Sequence, residues 1–227
     1  MDKNVLRALQ VCPLFEGLSE QEIETTMTEV SYRIVRFNKR ELYAIEGQPN
    51  SYADIVVSGE MSARMESPSG KCVRIATQTV GKLLAPAFIF NTAKKMPVTV
   101  EALRPTTLLR MTPATLLILI NNDMRIQMNF IRMLSATVTL LTHKVRLLTL
   151  YTVREKVALF LEEQTKRHNS DRFTLTTSRQ EIADSFAIQK YSLQRVLSEF
   201  AKEGAIRFEG KSITVLDHSK MLSLAGL

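Results

Sequence analysis

The spacing of apolar positions changes three times along this chain. Residues 5–29 read as short helices, one of them opened by Ser19-x-x-Glu22. In such a capping box the serine side chain accepts from the third helical amide, while the glutamate reaches back to the serine amide. From 32 to about 110 the pattern becomes short runs rich in Val, Ile, Tyr and Thr, punctuated by Gly47, Gly59, Gly70 and Gly81. "YADIVVSGEMSARMESPSGKCVRIATQTVG" reads as two strands around a Pro-Ser-Gly turn, with a further turn at Gly81. Regular turn signals between short strands predict an antiparallel sandwich or barrel.

Helical spacing then takes over across roughly 113–148. Ile131, Leu134, Val138, Leu141, Val145 and Leu148 recur at intervals of 3, 4, 3, 4 and 3, the a/d seam of a two-helix contact. Leu140 and Leu147 add a second apolar flank, so that one side of the helix can face the β domain and the other a partner helix. Thr152-x-x-Glu155 is another capping box, opening "VREKVALFLEEQTKR", and "FTLTT" alternates like a strand.

The stretch "SRQEIADSFAIQKYSLQRVLSEFAKEG" keeps helical spacing but breaks register in the middle. Ser178-x-x-Glu181 opens a first helix with Ile182, Ala183 and Phe186 inward. "FAIQ" forms a turn, and Leu193, Val196, Leu197 and Phe200 give a second helix its apolar face. Gly204 suits the left-handed residue that ends a helix. "AIRFEGKSITVLD" then reads as a hairpin turning at Gly210-Lys211. Two helices joined by a tight turn and followed by a hairpin make a winged helix-turn-helix. The turn redirects the second helix so that Gln189, Lys190, Tyr191, Ser192, Gln194 and Arg195 lie toward its free side, where a helix can enter the major groove. The predicted organisation is thus α+β: an antiparallel β domain over 1–121, a dimerisation helix over 122–148 and a winged helix-turn-helix domain over 149–227.

Charge and cysteine content narrow the function classes. The formal charge is +7, which favours a polyanionic partner. The excess is spread along the chain, with 18 basic against 13 acidic residues before residue 149 and 12 against 10 after it. A nucleic-acid reading must therefore rest on local placement. Cys12 and Cys72 form no CxxC pair, so within one chain a disulfide framework, a four-cysteine zinc site and a cysteine-ligated Fe–S cluster have too few ligands. No stretch approaches the roughly 20 apolar residues that span a bilayer, and the expected location is cytoplasmic. His143, His168 and His218 fall in separate elements, and no Walker-type loop or metal-protease motif is present, so no enzyme is expected.

The three segments "PLFEGLSEQEIE", "IVVSGEM" and "SRQEIADSFAIQKYSLQRVLSEFAKEG" resemble the family of the cyclic-AMP receptor protein and the fumarate–nitrate regulator, the CRP/FNR family, over nearly the full length. The resemblance implies a homodimeric transcription regulator whose N-terminal β-roll (jelly-roll) senses an effector, and which binds a near-palindromic double-stranded DNA operator and works with RNA polymerase. Residue by residue, the family's second base-reading arginine falls on Arg195 and its first on Lys190, a weaker bidentate donor. The base-reading glutamate becomes Tyr191, Ser192 takes a phosphate-contacting position, Arg179 corresponds to the arginine opening the motif, and Ala187 occupies the small turn position. The sensor side departs further: Lys82 stands where cyclic-nucleotide binders place a glutamate, and "MPVTVEA" lacks their Arg-Ser pair. A buried phosphate would lack its main charge-assisted partner. Lys94 and Lys95 are weak substitutes, so cyclic AMP is not the expected effector. Leu83, Leu84, Phe88 and Phe90, with Met128 and Ile131 of the long helix, suggest a pocket for an uncharged organic effector or a haem, or else plain core packing. Cys72, His143 or a methionine are the candidate axial ligands. The alternative reading is a β-roll regulatory subunit that acts through protein contacts without reading DNA.

Overall fold

The structure, a computed structural model, describes residues 1–49, 52–66, 72–92 and 95–227, with the backbone alone of Cys72. The expected turn at Gly70 and the cation Lys94 lie outside the described residues. The chain divides into two compact units, one of residues 1–65 with 75–141, the other of 66–74 with 142–227.

The first unit opens with helices α1 (Lys3–Gln10) and α2 (Glu20–Thr28), separated by a 3-10 turn over Pro13–Phe15. The Ser19–Glu22 capping box forms as expected, and its hydrogen bonds hold the Glu22 carboxyl down to about 2. Seven strands follow: β1 (Arg33–Phe37), β2 (Leu42–Ala44), β3 (Ala53–Ser58), β4 (Met61–Glu66), β5 (Cys72–Gln78), β6 (Thr99–Ala102) and β7 (Thr106–Met111), with a short helix α3 (Pro86–Ile89) between β5 and β6. They form two sheets, ordered β1-β7-β3 and β2-β6-β4-β5.

Strand β3 explains why the roll needs helices on one side. Its residues Ala53–Val57 are all buried, because alternate side chains enter different cores. Val56 joins Met61, Leu84, Val100 and Leu108 inside the roll. Ile55 and Val57 meet Leu9, Phe15, Ile23, Leu109 and Phe130 in a second core that includes residues of α1 and α2. Gly59 carries the β3–β4 turn at φ +90, and a Cβ there would lie 2.4 Å from Thr106 Oγ1 and 2.5 Å from the Pro105 carbonyl oxygen, so only glycine fits.

On the roll side of β3, Asp54 is fully buried and sits directly opposite Arg110 of β7. The two form a bidentate pair, with Arg110 Nε 3.0 Å and Nη2 2.7 Å from the Asp54 carboxylate. The guanidinium also lies 4.3 Å from the centroid of the Tyr52 ring and within 6 Å of the rings of Phe37 and Tyr43. Cys12 is buried in the second core, and burial pushes its thiol up to about 12, so it stays protonated and inert at neutral pH.

The expected single helical stretch is two helices, α4 (Pro113–Asn122) and α5 (Met124–Leu150). Asp123 between them is extended (φ −137, ψ 120), and its carboxylate accepts from the Arg125 amide at 2.7 Å, starting a new helix where apolar spacing alone would continue the old one. Residues 126, 129 and 130 of α5 are buried, whereas Val138 and Val145 remain 64% and 60% exposed. Leu134 of the expected seam is half-buried against the unit's own core.

The second unit holds α6 (Val153–His168), β8 (Arg172–Thr174), α7 (Arg179–Ser185), α8 (Lys190–Lys202), β9 (Ile206–Glu209), β10 (Ser212–Val215) and α9 (His218–Ala225). Its strands are ordered β8-β10-β9, and a core of Val157, Leu161, Phe173, Ile182, Leu193, Val196, Phe200, Ile213 and Met221 joins helices to sheet. At the start of α9, His218 is clamped between Glu162 of α6 through Nδ1 and Asp171 at 3.0 Å through Nε2. The hydrogen bond to Glu162, then that to Asp171, raises the imidazole above its usual range. A raised folded value means that this stabilisation is full below the unfolded value of about 6.5 and fades as pH climbs through the folded one. The thermal midpoint of this unit is therefore expected to fall as pH rises above about 6.5, and His218→Gln should flatten that slope. Calorimetric scans across that range check it; equal slopes for both proteins would remove His218 as the cause.

Candidate nucleic-acid interface

The Ser178–Glu181 capping box opens α7, the Ser178 amide donating to Glu181 Oε2 at 2.7 Å and the Glu181 amide to Ser178 Oγ at 3.2 Å. The helix ends at Ala187, which adopts φ +53, while the Ile188 amide donates back to the Ala183 carbonyl at 3.0 Å. This is a Schellman ending with alanine where glycine is usual. It turns the chain by one short loop into α8. Burial of Leu193, Val196, Leu197 and Phe200 then fixes the rotation of α8 about its axis.

Tyr191, Arg195 and Ser198, at i, i+4 and i+7, therefore share the exposed side, with Tyr191 75% exposed. Gln194 lies on the same side, half-buried; Lys190 and Ser192 flank it, and Gln189 occupies the N-cap position. Ser198 was not reached by sequence reasoning, although its i+7 spacing from Tyr191 carries the signal. Arg195 Nε lies 3.7 Å from Glu199, which is itself held by Arg154 at 3.0 Å. The carboxylate thus steadies the base of the Arg195 guanidinium from behind, one turn along the helix.

Arg179 is placed differently from a simple phosphate contact. Its Nη1 donates to Gln194 Oε1 on α8, its Nη2 to the Gly210 carbonyl at the tip of the β9–β10 hairpin (2.8 Å), and its guanidinium lies 5.2 Å from the Phe208 ring centroid. One side chain thereby ties the first helix, the second helix and the wing together. The hairpin turns at Gly210-Lys211 as the sequence predicts, leaving Arg207 and Lys211 exposed beside it.

In the first unit, the six residues expected to form an effector pocket do not converge. Leu84 is buried inside the roll and Phe88 packs against that core. Phe90 lies edge-on to Phe130 and is largely exposed, as are Met128 and Ile131. Leu83 alone of the six lines a cavity of about 440 Å³ between the roll and α5. The rest of the lining is mixed, with Glu16, Gln78, Lys82 and Arg132 beside Met133 and Ala136. Buried Asn129 braces this wall, donating to the carbonyls of Leu14 (3.2 Å) and Glu16 (2.8 Å) and accepting from Arg132 Nη1 at 3.2 Å. Of the expected haem ligands, His143 is exposed on α5, the Cys72 side chain is outside the described residues, and Met133 is a methionine that reaches the cavity. No helix among the described residues is long and apolar enough to cross a membrane.

Residues 155–224 match the model of the Crp-like helix-turn-helix domain. The chain is 32% identical over 85 residues to the transcriptional activator protein Anr of Pseudomonas aeruginosa, covering 35% of each. It is 25% identical over 107 residues to the anaerobic regulatory protein of Haemophilus influenzae, covering 45% of this chain and 42% of that one. The matches thus span less than half the length of these relatives. Among solved structures, a CooA double mutant from Carboxydothermus hydrogenoformans superposes with a TM-score of 0.74 at 17% identity, over 99% of this chain and 97% of that one. That likeness concerns the fold.

Proposed function

We propose that this chain, whose residues 155–224 match a Crp-like helix-turn-helix domain and whose fold is like that of CRP/FNR regulators, is a sequence-specific DNA-binding transcription regulator. The observation that carries this reading is the exposed face of α8, where Tyr191, Gln194, Arg195 and Ser198 stand clear of the core beside a basic wing. A helix of this kind fits the major groove, with arginine donating to guanine O6 and N7. Lys190, Ser192, Arg207 and Lys211 border the face and suit phosphate contacts, which position the protein without specifying sequence. Two copies joined along α5 would read a near-palindromic operator, one half-site each.

The effector belongs in the cavity between the roll and α5. Its lining sets cationic Lys82 and Arg132, with Glu16 and Gln78, among apolar Pro13, Leu83, Pro86, Met133 and Leu140, which suits an organic ligand with both an apolar and a polar part. Lys82 at the place of the cyclic-nucleotide binders' glutamate still speaks against cyclic AMP.

Selection of binding sites from random duplex DNA tests the function directly. The wild-type protein is expected to return a two-fold symmetric consensus, and failure to enrich any sequence would reject DNA readout. Arg195→Ala should weaken operator binding by about 1–3 kcal/mol, the worth of a bidentate guanine contact, and relax preference at one symmetric base pair per half-site. An unchanged consensus for that variant would mean that Arg195 does not read a base.

A further inference from the structure

We infer that Arg179 sets the base preference of Gln194, holding its amide so that the side chain reads guanine rather than adenine. This rests on the DNA-binding reading above and adds to it which base one position recognises.

A glutamine in the major groove ordinarily pairs with adenine, its oxygen accepting from N6 and its nitrogen donating to N7. That pairing needs both ends of the amide. Here the Gln194 oxygen is already engaged by Arg179 Nη1. The orientation of the amide is not a free choice, because a guanidinium carries donors only and can be met only by the oxygen. Arg179 in turn has little freedom to let go. Its other terminal nitrogen is bonded to the Gly210 carbonyl at 2.8 Å, and its plane rests near the Phe208 ring. The oxygen keeps a second lone pair, but the cationic guanidinium beside it opposes a further donor such as adenine N6, so the group left to meet a base is the NH2, a pure donor.

A pure donor discriminates between the purines. Guanine presents two acceptors on its major-groove edge, O6 and N7, and both suit an NH2 group. Adenine presents N7 beside the N6 amino group, which would face a donor and lose its hydrogen bond to water without a replacement. Cytosine offers a donor at N4 and is rejected for the same reason. The preference therefore arises from a residue on α7 that need not touch a base, and Arg179 is a positioning residue for readout.

Two substitutions in the full-length chain separate this from a general structural role. Gln194→Glu keeps the partnership with Arg179 and turns the free outward atom from donor to acceptor. The selected consensus should then exchange guanine for cytosine, whose N4 can donate, at one symmetric position per half-site. Arg179→Met keeps an unbranched side chain against Phe208 but frees the amide. Adenine should gain about tenfold over guanine at that same position. Sites are selected from random duplexes with wild type and both variants, and melting curves establish that each variant is folded. Shifts confined to that one position support the inference. If Gln194→Glu returns the wild-type base at every position, or folded Arg179→Met only weakens all sites equally, the inference is overturned. If wild type itself selects no consensus, the DNA-reading proposal fails first, and the two failures are distinct.

Discussion

Val138→Glu combined with Val145→Glu is expected to break the proposed α5 dimer into monomers and to lower affinity for a two-fold operator by at least about a hundredfold. The size follows from linkage of two half-site contacts, where joining two binding modules raises overall affinity by about 10²–10⁴. Both valines are mostly exposed on α5, and Ile131 and Leu141 of the same row are exposed with them. Such a row of large apolar side chains marks a partner surface, and charge placed along it opposes association. Leu134 is the poorer place to cut although it belongs to the same a/d series, because it packs against its own unit and a charge there would damage the monomer. Sedimentation at micromolar concentration and anisotropy with a labelled operator read the two effects. A wild-type protein that sediments as a stable monomer would reject the arrangement.

Asp54→Ala is expected to destabilise the first unit by about 3–5 kcal/mol, because it strands a buried guanidinium without its counter-charge. Arg110 keeps only 13% of its side chain exposed and lies against the rings of Tyr52, Tyr43 and Phe37, so water can replace little of the lost counter-charge. Removing both charges together, as Asp54→Ala with Arg110→Met, should restore much of the loss, since a buried pair is worth far less than the penalty for breaking it. Urea unfolding followed by circular dichroism compares the three proteins; a single variant within about 1 kcal/mol of wild type would show that the pair is solvated.

The legible parts of the sequence were those whose signals are local. The Ser19, Thr152 and Ser178 capping boxes, the Gly210-Lys211 turn and the register break between α7 and α8 each depend on residues within a few positions of one another, and each forms as read. Asp123 was missed because apolar spacing continues across it, while its capping role depends on the backbone leaving the helical region for one residue. Pairings across the fold were out of reach. Asp54 and Arg110 are brought together by strand register, and nothing at either position alone announces the other. The effector pocket failed for a related reason. "LLAPAFIF" is apolar throughout, but its side chains go to different cores, Leu83 and Ile89 to one and Leu84 to the other. What remains for the cavity wall mixes polar and apolar side chains. Arg179 was singled out by its place at the opening of the motif, yet its partners Gln194 and Gly210 are 15 and 31 residues away, and only the folded geometry brings the three together.

The contact between Arg179 and the hairpin tip reaches a main-chain oxygen, not a side chain. Every amino acid supplies that oxygen, so the flanking residues Glu209 and Lys211 are free to drift over generations without disturbing the helix beside them. The length of the hairpin is not free in the same way. One residue gained or lost at the tip moves the oxygen away and lets Arg179 settle elsewhere. Among descendants of this chain, new operator preferences should therefore track insertions and deletions at the wing more closely than substitutions there.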